Sequence, residues 1–180
     1  MKPANIALLS ALILCTSSLP SAADRSAFVR AEPLTLMEGG GIGACGARLL
    51  LDIDGTSLAL DLMLTRGEDK GTLVLRAGYE NPSPSMLPVV KAVLGTGSLS
   101  TGDLFAAPGR FEEDGTLILE APATDSRIAT LFQELMVGGG SVEIAREFML
   151  APDTIAIPGP LPQDVRAQYL ACAGDLVRPK

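Results

Sequence analysis

The sequence predicts an α+β fold, an antiparallel β-sheet curling toward a sandwich or barrel with two or three helices packed on it. Three observations carry this. Alternating apolar and polar residues flank Asp54-Gly55, and Asp114-Gly115 is a second hairpin signal with alternation on its return arm. Ile128, Leu131, Phe132, Leu135 and Met136 repeat at the spacing of one buried helical stripe. Of the 180 residues, 47% are hydrophobic and 4% aromatic, which suits a single, mostly aliphatic core.

The chain opens on an address label. Lys2 precedes an apolar run over residues 6–15, and Ser21 and Ala23 occupy the small-residue positions of a signal-peptidase site. Residues 1–23 therefore read as a cleaved signal peptide, with Asp24 as the first mature residue and the periplasm or the exterior as destination. About ten apolar residues are too few for a membrane anchor, which needs roughly 20. The large Leu14 before Cys15 argues against a lipoprotein site. No other segment is long and apolar enough to span a membrane.

Cleavage removes one of 14 basic residues and none of the 21 acidic ones, taking the formal charge from −7 to −8. That balance offers no electrostatic footprint for nucleic acid or an anionic membrane surface. Histidine is absent, which excludes imidazole bases, Ser-His-Asp and Cys-His pairs, and His-ligated zinc.

Residues 24–44, polar and then Gly-rich, read as a flexible lead-in, and residues 45–180 as a single α+β domain. The Asp54-Gly55 turn pairs Ile53 with Thr56, Leu51 with Leu58 and Leu49 with Leu60 on one nearly all-apolar face. The other face pairs Asp52 with Ser57, Leu50 with Ala59, and Arg48 with Asp61, an opposite-charge pair. A third strand follows at 72–77. Ser85 is placed to cap a short helix over 86–94 that Gly95 ends. Residues 111–113 and 116–121 form the second hairpin. Thr124-Asp125-Ser126 opens the striped helix, which stops at Gly138. Short strands are expected at 141–145, 148–150 and 154–157. A last helix over 162–173 sets Leu161, Val165, Tyr169 and Cys172 along one face.

Of three cysteines, Cys15 leaves with the signal peptide, so Cys45 and Cys172 remain. In an oxidising compartment they read most simply as one disulfide, stabilising by about 4–5 kcal/mol in the chain-entropy model. Two buried free thiols are the alternative. A metal site has only half its ligands.

Leu49-Leu50-Leu51-Asp52-Ile53-Asp54-Gly55-Thr56 resembles the first motif of the haloacid-dehalogenase-like phosphatases. The resemblance implies Asp52 as phosphate-accepting nucleophile, Asp54 as acid/base, and magnesium held by both. Later motifs of that family would need a Lys and an acidic pair in strand context, and neither Lys91, Lys70 nor Gly174-Asp175 has it. Residues 57–65 alternate as a strand where that family leaves into a loop and helix, which favours the hairpin. The stretch Gly41-Ile42-Gly43-Ala44-Cys45-Gly46 has the glycine spacing of a phosphate cradle without the strand before and helix after it. Glu112-Glu113-Asp114 reads as a solvated hairpin tip rather than a calcium site.

A wider resemblance rests on the signal peptide, the Cys45-led strand pair, Gly138-Gly139-Gly140, Ile155-Ala156-Ile157-Pro158-Gly159, and a closing helix with Ala167, Ala171 and Cys172. This is similar to the invasion-associated locus B-like exported proteins of alphaproteobacteria, although residues 78–122 depart from that pattern. It implies a non-enzymatic envelope protein without a cofactor. Such a protein binds a protein partner in the envelope or on a host cell, as a host-contact or accessory module. A magnesium-dependent phosphatase through Asp52 and Asp54 is one alternative, and an inhibitor or accessory subunit of another exported enzyme is the other.

Overall fold

The computed structural model describes residues 26–66, 71–105 and 107–176. The signal-peptide expectation for residues 1–23, with its cleavage point before Asp24, lies outside them.

Among the described residues, nine strands and two α-helices follow in the order β1 (Ala27–Glu38), β2 (Gly41–Ile53), β3 (Thr56–Thr65), β4 (Thr72–Tyr79), β5 (Val89–Gly95), β6 (Arg110–Phe111), β7 (Leu117–Pro122), α1 (Arg127–Gly138), β8 (Gly139–Arg146), β9 (Asp153–Pro158) and α2 (Gln163–Leu176). A six-stranded antiparallel sheet has the order β1-β2-β3-β4-β7-β6, and a three-stranded one the order β5-β8-β9. The α+β expectation holds. The sheets stay separate instead of closing into a barrel, and their apolar faces share one core with both helices.

The β2–β3 hairpin has the register read from the sequence, Ile53 opposite Thr56 through Arg48 opposite Asp61. Asp54 and Gly55 take φ of +55° and +80° in the turn between them. Both central residues of a type I′ turn need positive φ, which is why the dipeptide is Asp-Gly. Leu49, Leu51, Ile53, Leu58, Leu60 and Leu62 are completely buried beneath it.

The flexible lead-in is corrected: where described, residues 27–38 and 41–44 are strand. β1 pairs with β2 from Ala27 opposite Asp52 to Glu38 opposite Gly41, and Gly39-Gly40, at φ of +57° and +80°, makes the turn. The glycine run is a hairpin turn followed by strand. Register shifts at both ends of β1 interrupt its alternation, and Pro33 sits on a sheet edge, where a missing N–H breaks no ladder.

The helix expected over residues 86–94 is also corrected, to β5. Its buried residues are Val89, Ala92 and Leu94. A bulge between Val89 and Lys91 offsets the strand phase, so the first two buried positions lie three apart, as they would in a helix. Pro88 leads into the strand, and proline biases the residue before it away from helix.

The third expected strand is β4, two residues longer than read, and the second hairpin is β6–β7. In α1 the five buried residues are the five of the predicted stripe. Gly139 ends it at φ +72°, where an added Cβ would lie 2.2 Å from the Ile157 oxygen. Glycine is required there on both counts. Helix α2 packs on β1 and β2, with its Val165 and Cys172 buried along with Leu161 just before it. The Tyr169 ring stacks on Phe132 of α1, centroids 4.7 Å apart and planes 7° off parallel. Cys45 and Cys172 form a disulfide with a Cα–Cα distance of 5.8 Å, clamping α2 to β2 as expected. Residues 148–150 are not the short strand read from the sequence; they lie in the turn that joins β8 to β9.

Candidate functional site

Asp52 and Asp54, the residues of the phosphatase resemblance, are both engaged by the hairpin. An Oδ1 atom of Asp52 accepts a hydrogen bond from the Gly55 N–H at 2.7 Å, closing the turn. Asp54 pairs with Arg146 of β8 at 3.1 Å, and the same guanidinium reaches Asp153 of β9 at 3.0 Å. From Thr56 the chain runs on as β3 rather than into a loop and helix. Lys91 is exposed on β5, in the other sheet. Lys70 lies outside the described residues. The glycines of residues 41–46 belong to β2. At the second hairpin, Glu112 pairs with Arg76 at 2.6 Å and Asp114 accepts from the Thr116 N–H at 2.9 Å. Among the described residues, no three His, Cys, Asp or Glu side chains converge as they would to hold a metal ion.

One end of the sandwich is tied together around Arg146. Its side chain is only 11% exposed between Asp54 and Asp153, and Ser26, just before β1, donates to Asp153 at 3.1 Å. The guanidinium thereby joins the β2–β3 turn of one sheet to the β8–β9 pair of the other. Burial lowers its pKa, but the bond to Asp54 and the charge of Asp153 more than offset that, leaving it raised.

Immediately beyond Arg146 the loop turns outward. The Glu147 N–H donates to the Pro88 oxygen at 2.9 Å, and the Met149 N–H to the Arg146 oxygen at 3.2 Å, so the base of the loop is pinned. The apex carries Phe148, Met149 and Leu150, which are 84%, 48% and 105% exposed. Phe148 also takes φ +61°. A bulky residue in that region pays about 1–2 kcal/mol in backbone strain, and an exposed ring gains little packing to offset it. Burying each of these side chains elsewhere would stabilise by about 1.5–3 kcal/mol. The sequence reading assigned these residues to a strand and passed over Arg146. Three large apolar residues in succession, with Pro152 behind them, do not alternate, and that was the available signal.

A second concave surface lies between α1 and α2. It is an open groove of about 580 Å³ whose walls include Met136, Val137, Tyr169 and Leu170, with Arg166 among its lining. Burial pushes the Tyr169 phenol up to about 12. On the outer face of the large sheet, Glu32, Arg48, Asp61 and Arg76 stand opposite one another in a single cross-strand row. Arg48 holds Asp61 through two bonds of 2.7 and 2.8 Å, so the row is largely self-satisfied.

Fold and site together define a class: a disulfide-clamped, two-sheet α+β module that presents an apolar loop at one end. Comparison with protein families finds no match, and neither curated proteins nor solved structures yield one. None of the helices among the described residues is long and apolar enough to cross a membrane.

Proposed function

We propose that this chain is an exported envelope protein that acts by binding another macromolecule, with the Phe148-Met149-Leu150 apex as its contact. The observation that carries this is the apex itself. Three adjacent large apolar side chains stand in water on a pinned base, one of them in a strained conformation. Contiguous exposed apolar surface of this kind marks interaction sites, and local strain collects where a surrounding structure holds a functional shape. The tripartite pattern of residues 1–23 and the Cys45–Cys172 disulfide support export into an oxidising compartment.

A photo-reactive phenylalanine placed at position 148, and separately at Glu120, exposed on β7, tests this in living cells. Position 148 should give a discrete adduct in the envelope fraction and position 120 should not. Intact mass should show the chain beginning at Asp24. Absence of any adduct at 148, or a cytoplasmic pool retaining residues 1–23, would overturn the reading.

A further inference from the structure

We propose that the apex of one copy seats in the α1–α2 groove of a second copy, so that the protein associates head to tail. This rests on the reading of the apex as a contact and names its partner.

The two surfaces match in form and polarity. The apex is a convex cluster of three apolar side chains, and the groove is a concavity of about 580 Å³ between apolar walls. That volume lies within the range of sites that enclose whole apolar groups. At its rim Val137 and Leu170 are 61% and 70% exposed, so the groove itself holds apolar surface in water. They match in charge as well. Arg166, half-buried, lines the groove and places a positive charge there. Glu147, exposed and adjacent to Phe148, would bring a carboxylate to it.

Their placement makes the contact intermolecular. The groove includes Met136 and Val137 at the end of α1, next to Gly139, which pairs with Pro158. The apex follows the other end of the same strand pair, where Ile144 stands opposite Asp153. Five residue steps of strand separate the two, about 17 Å. The loop therefore cannot fill its own groove. A contact between two different patches leaves an apex free at one end and a groove free at the other, so it propagates into a chain unless the rotation closes a ring. Three side chains bury a modest area, which places the association in the weak, transient class.

The test is sedimentation of the purified protein, as processed by the cell, over a wide concentration range. The wild type should grow beyond dimers as concentration rises. Phe148→Asp and Leu170→Asp should each weaken association about 10-fold or more. Both positions are exposed, and an unchanged thermal melt verifies that each variant folds. An equimolar mixture of the two variants should form one-to-one dimers that grow no further, because each supplies the half that the other lacks. A wild type that stays monomeric throughout overturns the proposal, as does a mixture that fails to pair. So does association that Leu170→Asp breaks and Phe148→Asp leaves intact, since the groove would then have a different occupant. If self-association fails while the adduct at position 148 contains another macromolecule, the binding function stands and only the choice of partner falls.

Discussion

Arg146 serves two carboxylates that differ in burial, and the difference separates their variants. Asp54 is 57% exposed and Asp153 14%. Replacing Asp54 with Asn keeps a residue that accepts positive φ and gives up only a solvated ion pair, costing about 1 kcal/mol or less. Arg146→Met strands the more buried Asp153 carboxylate without its cation and should cost about 2–3 kcal/mol. Asp52→Asn retains an oxygen for the Gly55 N–H and should change stability by about 0.5 kcal/mol at most. Urea denaturation of the three variants gives the order directly. On the phosphatase alternative Asp52→Asn would instead abolish a magnesium-dependent turnover while leaving the fold intact. The Asp-Gly turn was legible in the sequence because turn preference is a property of two adjacent residues. The Arg146–Asp54 pair was not, because the two residues lie 92 positions apart and meet only once the two sheets stack.

At the scale of elements, α1 does more than cover the core. Glu134 on this helix accepts a hydrogen bond from the Thr96 hydroxyl at 2.6 Å and from the Ser98 N–H at 3.0 Å, gathering in the loop after β5. Bonds from Ser98 and then Thr96 hold its carboxyl below the ordinary value of 4.5. A depressed carboxyl stabilises the fold fully above its unfolded value and ceases to do so as pH falls through the folded one. Unfolding free energy measured down an acid pH series should therefore fall partly through Glu134, and Glu134→Gln should make that fall shallower. Where one period runs unbroken, as in α1 or β2–β3, the element could be read directly. In β1 and β5 a bulge changes the phase within the strand, and the apolar spacing then imitates a loop or a helix.

For the molecule as a whole, the disulfide joins positions 127 apart and fixes the last helix to the second strand. Its removal in a Cys45→Ala, Cys172→Ala double variant should cost about 2–5 kcal/mol. Leu161, Val165 and the Tyr169–Phe132 stack still anchor α2, so the variant should fold. Amides of α2 should lose protection from hydrogen exchange before those of β2 and β3 do. The parent protein, denatured without reductant, should show no reactive thiol at either position.

Local and periodic properties of the chain determined the α+β class, the β2–β3 register and the buried stripe of α1, and they pointed to Cys45 and Cys172 as a pair. Each of these follows from neighbours in sequence or from the small number of cysteines. Tertiary structure alone decided that residues 27–44 complete the large sheet, that Arg146 bridges the two sheets, and that the apex and the groove lie at opposite ends of one strand pair. Those facts depend on which faces meet. Apolar residues at 148–150 and at 137 and 170 are as hydrophobic as those of the core, and only the packed fold distinguishes the ones it buries from the ones it leaves in water.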